Sequence, residues 1–424
     1  MKQILENIIK EWWSRPWPTI IPRDLNLKEY ADLKVKKIVS VVGFRRSGKT
    51  YTLFDLAKKL GRENCVYINF EDERLSKKTE TLTALIEVLT EISGNKTYYL
   101  LLDEIQNIEN WSVWARRINE STNHHLFISG SSSKLSSAEL PTELRGRSLT
   151  VNLFPLSFKE FLRFKKAEIK KLPKSIILNL MREYLIFGGF PEIVLVEEGK
   201  KPLVLDEYFQ TFLLRDVIER HKIRSEREIK AMIHLLFNSS YYTISKLANS
   251  LKSADNAISK STVSRHLEFL EESFLIKSLT LHTPSIKNRL KAAKKPYFID
   301  NFFLSRYSTA FSQNLGRLME NLAALELFRQ TTYDLTDDLY YWKDYQNHEI
   351  DFVLRKKEKV EKLIQVSFVS HLSAISDKET KNLIKAAREL HCQNLTYLTW
   401  DLEKKMEVGS SQISFQPIWQ WLLE

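Results

Sequence analysis

The sequence predicts an α/β fold, a parallel-sheet core near the N-terminus with smaller helical and mixed modules behind it. Three observations predict it. Residues 37–42 are a short β-branched run, 43–50 a glycine-bracketed loop, and 51–60 a stretch with the apolar spacing of an amphipathic helix. Residues 98–102 are apolar and lead into two adjacent carboxylates, Asp103 and Glu104. Residues 126–133 read as a further strand ending in small hydroxylated side chains. Strands separated by helical stretches favour parallel pairing, because a parallel connection needs a long crossover.

The loop is the most specific of these signals. Gly43, Phe44, Arg45, Arg46, Ser47, Gly48, Lys49 and Thr50 fit the phosphate-binding pattern G-x-x-x-x-G-K-[ST]. Its glycines let backbone N–H groups turn toward phosphate oxygens, and the following helix N-terminus adds partial positive charge. On this pattern Lys49 reaches the β- and γ-phosphates and the Thr50 hydroxyl coordinates Mg²⁺. A chance glycine turn before a helix is the alternative, and the flanking strand and helix argue against it. Asp103 is expected to complete the metal shell and Glu104 to orient the attacking water. Both fall at the carboxyl end of an apolar strand, where ligands of open α/β sheets gather. Ser129, at the next strand tip, is either a γ-phosphate or water ligand or part of an ordinary serine-rich turn.

The chain has 424 residues, enough for several domains, with 43% hydrophobic and 28% charged residues as in a globular protein. Lys plus Arg total 64 against 53 acids, a net charge of +11, which favours a polyanionic partner or else serves solubility. Cys65 and Cys392 are the 2 cysteines, so no disulfide framework or cysteine metal site is expected, and a reducing, cytoplasmic setting is. No apolar run approaches a membrane span, and residues 1–10 do not read as a signal peptide.

In chain order, residues 1–11 read as a helix, and the following segment is extended by its three prolines, Pro16, Pro18 and Pro22. Its tryptophans either wall an adenine or, the preferred reading, simply pack. Residues 64–71 read as a strand and 81–92 as a helix. Arg145 and Arg147 follow, candidates to stabilise transition-state charge in cis or on a neighbouring subunit.

Taken together, VVGFRRSGKT, LLLDEIQNIENW, FISGSSSKL and LRGRSLTVNLFPLSFKEFL resemble a large family of archaeal and bacterial AAA+-type ATPases. Phe187–Glu192, Lys295–Asn301 and Gly316–Asn321 match that family's G-G-[FY]-P-E, Y-F-x-D and G-R-x-x-E-N elements. The resemblance implies a P-loop AAA+-type parallel-sheet ATPase core, a helical lid, a winged-helix module and a small α/β nuclease-like domain. The corresponding boundaries are an N-terminal helix and linker at 1–34, the core at 35–175, the lid at 176–224, the winged helix at 225–300 and the nuclease-like domain at 301–424. It also implies ATP with Mg²⁺ as cofactors. The N-K-x-D signature of GTPases is missing, since Asn95-Lys96-Thr97-Tyr98 lacks the acid.

The middle of the chain carries its own signal. Residues 228–237, 243–251 and 259–270 have helical spacing, the last two resembling a helix-turn-helix. Val263, Leu267 and Leu270 are expected to face the core, and Lys260, Ser261, Ser264 and Arg265 to face outward. Residues 274–279 read as a wing strand, and Lys287, Arg289, Lys291, Lys294 and Lys295 as a basic run. Double-stranded DNA is the expected partner, through Lys260, Arg265, Lys287, Arg289 and Lys291; packing against protein is the alternative use of such a module. Residues 355–362 interleave acids with bases and read as a solvated turn, and the apolar tail 413–423 as packing.

Glu320, Asp351 and residues 363–368 follow the order of a D-(E/D)-x-K nuclease core, but the last two catalytic positions read Gln365-Val366-Ser367. An amide and a hydroxyl cannot supply the charge that two-acid-and-lysine chemistry needs, so a nuclease fold that does not cut is expected. The resulting expectation is an ATPase coupling nucleotide state to DNA through its C-terminal half, in a homo-oligomer if an arginine enters from a neighbour. A slow ATP/ADP switch with a protein output is the alternative.

Overall fold

The computed structural model describes residues 1–131, 144–253, 258–309, 315–333, 337–409 and 411–424. Residues 132–135, which end the FISGSSSKL stretch, lie outside them. Two compact units emerge, Met1–Phe154 with Glu272–Phe274, and Pro155–Glu271 with Leu275–Glu424.

The first unit is built on β1 (Ile38–Val42), β2 (Cys65–Asn69), β3 (Tyr99–Asp103), β4 (His125–Gly130) and β5 (Ser148–Asn152). All neighbours pair in parallel, in the order β2-β3-β4-β1-β5. Alternation along β1 sends Ile38 and Val42 into one apolar cluster and Val39 and Val41 into another. The first cluster takes Leu5, Ile8 and Ile9 of the N-terminal helix Lys2–Ser14 and the apolar faces of helices Thr79–Ser93 and Trp111–Ser121. The second takes Leu53, Phe54 and Leu56 of helix Lys49–Leu60, with Trp12. Covering both faces explains why the strands read as continuous apolar runs.

Edge strand β5 was not anticipated, because Ser-Leu-Thr-Val-Asn is short and only half apolar, with Val151 alone fully buried. The tryptophans pack, as preferred. Trp12 lies against Trp17, Phe54 and Tyr67, and both Trp12 and Trp13 donate to the Cys65 carbonyl at 3.0 Å.

The second unit opens with helices including Phe158–Phe164, Lys174–Phe187 and Lys201–Thr211. Helices Glu226–Phe237, Ile244–Ser253 and Lys260–Glu272 follow, then an antiparallel hairpin of β6 (Ile276–Leu279) and β7 (Lys295–Phe298). Val263, Leu267 and Leu270 are buried, while Lys260, Ser261 and Arg265 are exposed.

Helix Leu315–Tyr333 leads into a six-stranded mixed sheet of β8 (Asp337–Lys343), β9 (Glu349–Lys356), β10 (Lys359–Val366), β11 (Leu395–Thr399), β12 (Lys404–Val408) and β13 (Ser411–Pro417). Strands β8, β9 and β10 are antiparallel, and β10, β11 and β13 are parallel. Helix Asp377–Glu389 connects β10 to β11. The expected turn at 355–362 is narrower than read, because β9 runs to Lys356 and β10 restarts at Lys359. Lys357, with φ 56°, makes the reversal.

The family-like elements of this unit are a structural joint. Asp300 is 2% exposed and accepts the Gly189 N–H at 2.7 Å and the Phe302 N–H at 2.9 Å. Asn301 Nδ2 donates to the Leu185 and Leu318 carbonyls at 3.0 and 2.9 Å. Asn321 exchanges hydrogen bonds with the backbone of Phe298 and donates to Asn301 Oδ1 at 2.9 Å. Three separate stretches of chain are thus joined through buried polar side chains, each of them satisfied.

Candidate functional site

Strand order sets the site. With β4 between β1 and β3, the loop after β1, the hydroxyl tip of β4 and the carboxylates after β3 meet at one carboxyl edge. Gly48, with φ 100°, caps helix Lys49–Leu60 in a left-handed conformation that a side chain would strain. The helix N-terminus and its free N–H groups therefore face the loop. Phe44 is buried at the loop's base, and Arg45 reaches the Glu71 carboxylate at 3.4 Å.

Asp103 is the hub. It is 1% exposed and accepts from the Thr50 hydroxyl at 2.6 Å, from the Tyr67 hydroxyl at 2.9 Å and from Ser129 Oγ. Burial, then the neighbouring Glu104 charge, pushes its carboxyl up, against the pull of those three donors. Glu104 turns away sharply, with φ 52° and ψ 43°, a conformation that costs on the order of 1 kcal/mol outside glycine. Its carboxylate accepts from Gln106 at 2.5 Å and from the Ser131 N–H and hydroxyl at 3.2 Å each, and pairs with Lys49 at 3.6 Å. Burial would raise Glu104, but Lys49, Gln106 and Arg45 outweigh it and hold the carboxyl below its usual range. Two adjacent acids thus have opposite environments.

Lys49 is 5% exposed and also donates to the Gly43 and Phe44 carbonyls at 3.1 and 3.3 Å. Ser47 Oγ is buried without a hydrogen-bond partner, an acceptor-and-donor left open inside a loop shaped for phosphate. Among the described residues no group of three or more His, Cys, Asp or Glu side chains is arranged to hold a metal. A hard cation at Thr50 and Asp103 would share its shell with phosphate oxygens, as Mg²⁺ does at nucleotide sites.

A family model described as an AAA domain matches residues 35–162. Two described as domains of unknown function, DUF8612 and DUF4143, match 178–314 and 315–420. An uncharacterised protein of Methanocaldococcus jannaschii is 38% identical over 418 residues, 95% of this chain and 91% of that protein. The chain belongs to this family of AAA-domain proteins. A second relative, an uncharacterised protein of Haemophilus influenzae, is 30% identical over 359 residues, 82% of this chain and 87% of its own length. Among solved structures, the Walker-type ATPase PABY2304 of Pyrococcus abyssi aligns with TM-score 0.48 at 14% identity, over 69% of this chain and 99% of that one. AMPPCP-bound DnaA from Aquifex aeolicus aligns with TM-score 0.27 at 19% identity, over 58% and 86%.

Two sequence candidates stand apart from the AAA-domain site. Arg147 precedes β5, and its carbonyl accepts the Ile38 N–H at 2.9 Å, at the start of β1. Gly43 follows the other end of β1, so Arg145 and Arg147 lie at the opposite edge of the sheet. Arg147 pairs with Glu120 at 2.6 Å, and Arg145 is exposed. The reading of either as a stabiliser in cis is corrected: a five-residue strand separates them from the loop, a distance of about 16 Å at 3.3 Å per residue.

Two residues that the sequence reading passed over do take part. Tyr67, on β2, donates to Asp103, and burial and that carboxylate push its hydroxyl well above the usual range. Arg23, from the extended N-terminal segment, donates to the Ser47 carbonyl and to the Phe154 carbonyl at 2.9 Å each. It braces the phosphate loop against the end of the first unit. Arg23→Ala is expected to raise the apparent nucleotide Kd about tenfold, equivalent to 1.4 kcal/mol, in a fluorescence titration. An unchanged Kd would show that the brace does not set the loop.

Proposed function

We propose that this protein binds Mg²⁺-ATP and hydrolyses it, and that nucleotide state acts on duplex DNA through the C-terminal half. The observation that carries the proposal is the split acid pair, with Asp103 gathered by Thr50, Ser129 and Tyr67 while Glu104 faces Lys49. Thr50 and Asp103 would hold the cation, which when bound would supply charge neutralisation for the transferred phosphoryl group. Lys49 and the loop N–H groups orient the triphosphate. Glu104, kept ionised, accepts a proton from the attacking water. Arg145 and Arg147 are kept as candidates to reach the phosphate in trans within a homo-oligomer, beside the loop's own Arg45 and Arg46.

The DNA part rests on charge and element order. Lys260, Arg265, Lys287 and Lys291 are exposed, on a three-helix and hairpin arrangement that supports a winged-helix reading. Arg289 is a weaker candidate, since its guanidinium bonds the Thr283 carbonyl at 2.9 Å and lies over the Tyr340 ring at 4.9 Å. Lys295 drops out of the basic surface altogether, being 3% exposed. The helix, three antiparallel strands, helix and parallel strand from Leu315 to Thr399 support a nuclease-like reading of the last sheet, without cutting.

The test is nucleotide binding and turnover by the full chain, with and without duplex DNA. Binding weakened at least tenfold by Lys49→Ala, and hydrolysis stimulated by duplex, are the expected results. Binding indifferent to Lys49→Ala overturns the nucleotide reading. Turnover indifferent to DNA removes the DNA part and favours a slow switch.

A further inference from the structure

Lys295 begins β7 at the end of a run of five cationic residues, yet its side chain is 4% exposed. The ammonium lies 2.8 Å from Glu320 Oε1, 2.6 Å from Glu349 Oε1 and 2.9 Å from Asp351 Oδ1. These acids come from helix Leu315–Tyr333 and from the start of β9, so three carboxylates from two elements converge on one nitrogen delivered by a third. Tyr297 donates to Glu320 Oε1 at 2.6 Å, and the Val366 N–H donates to Asp351 Oδ2 at 3.0 Å. On β10 beside Asp351, Gln365 is 7% exposed and its Oε1 is buried with no hydrogen-bond partner. A cavity of about 20 Å³ lined by Lys295, Tyr297, Arg317, Glu320 and Asn321 adjoins the cluster, room for one water.

Three carboxylate oxygens within 3 Å of one point are of the chemistry that a hard divalent cation recruits, though as folded around the ammonium they do not form a metal site. Here a fixed ammonium stands at that point. With the ammonium ion-paired to all three acids, a metal entering there would place a second cation in a dry site, which is costly.

We propose that Lys295 is a built-in substitute for a divalent cation, occupying the Glu320–Glu349–Asp351 carboxylate site and excluding metal from the C-terminal sheet. The exclusion follows from carboxylate geometry alone, independent of what the first unit does with nucleotide. The same three oxygens become a divalent-metal site once the ammonium is removed.

The test uses the full chain, stripped with EDTA and free of nucleotide, titrated with Mn²⁺ and followed by electron paramagnetic resonance. The wild type is expected to take up no Mn²⁺ that Asp351→Asn removes. Lys295→Met, which keeps an unbranched stem one atom shorter and drops the charge, is expected to bind one further equivalent at least tenfold more tightly than the wild type. That gain is lost in Lys295→Met/Asp351→Asn. A Lys295→Met protein that folds, by circular dichroism, and gains no Mn²⁺ overturns the proposal. If Lys295→Met folds only with Mn²⁺ present, the proposal is supported. If it does not fold at all, the wild type decides: Asp351-dependent Mn²⁺ uptake overturns the exclusion, and its absence supports it.

Discussion

Glu104→Gln is expected to lower ATP turnover by about 10²–10⁴-fold, the range for loss of a positioned general base, while nucleotide binding is retained or tightened. The amide keeps the size of the carboxylate and its contacts with the Ser131 N–H and hydroxyl, so the fold of the strand tip survives. What it loses is the ability to accept a proton from water. It also loses the attraction to Lys49, which sits 3.6 Å away and must let go of Glu104 to reach a phosphate. Binding that tightens while turnover collapses is the signature of a base that also restrains the phosphate ligand. Single-turnover hydrolysis and equilibrium binding, measured side by side, check it; turnover within a few-fold of wild type removes Glu104 from the chemistry.

The pH dependence has a definite sign. Because Lys49, Gln106 and Arg45 outweigh burial, the Glu104 carboxyl is held below its ordinary value and is ionised from mildly acidic pH upward. Its acid limb in kcat/KM, which reports the free enzyme, therefore falls below the ordinary carboxylate range, and no inflection from it is expected between pH 6 and 8.

Gly188→Ala is expected to destabilise the second unit by about 3 kcal/mol or more. Gly188 has φ 73°, and a Cβ there would fall 1.6 Å from Asp300 Oδ1. With ψ −162° as well, this backbone lies in a region essentially reserved for glycine, which costs an L-residue about 1–3 kcal/mol. The Asp300 carboxylate must also move off the Gly189 and Phe302 N–H groups it serves, and hydrogen bonds to a charged group are worth about 1.5–3 kcal/mol. Differential scanning calorimetry should show the transition of the second unit lowered by several degrees, with nucleotide binding by the first unit preserved. An unmoved transition would mean that the joint around Asp300 adds little.

The candidate site is legible in the sequence because each of its residues lies within a few positions of a strand end. Gly43–Thr50, Asp103–Glu104 and Ser129 are local patterns, and the parallel sheet brings them together without further information. Arg145 and Arg147 show where such reading stops. Which edge of the sheet a residue occupies depends on the direction and pairing of β5, a strand too short and too polar to announce itself. Arg23 is invisible for a related reason, since its partners are carbonyls, which every residue has. Lys295 is the sharpest case. It ends a run of cations, and nothing nearby in the chain separates it from Lys291. Its partners lie 25, 54 and 56 positions further on, at Glu320, Glu349 and Asp351.

The placement of Lys295 also bears on how this protein can be divided. The two family matches meet between residues 314 and 315, with the ammonium on one side and all three acids on the other. A fragment beginning at 315 would retain a complete sheet yet enclose clustered negative charge with its counter-ion cut away. The inherited module and the autonomous folding piece are therefore different objects here, and the ion pair joins the Asn321–Phe298 and Asn301–Leu318 hydrogen bonds in tying one module to the next.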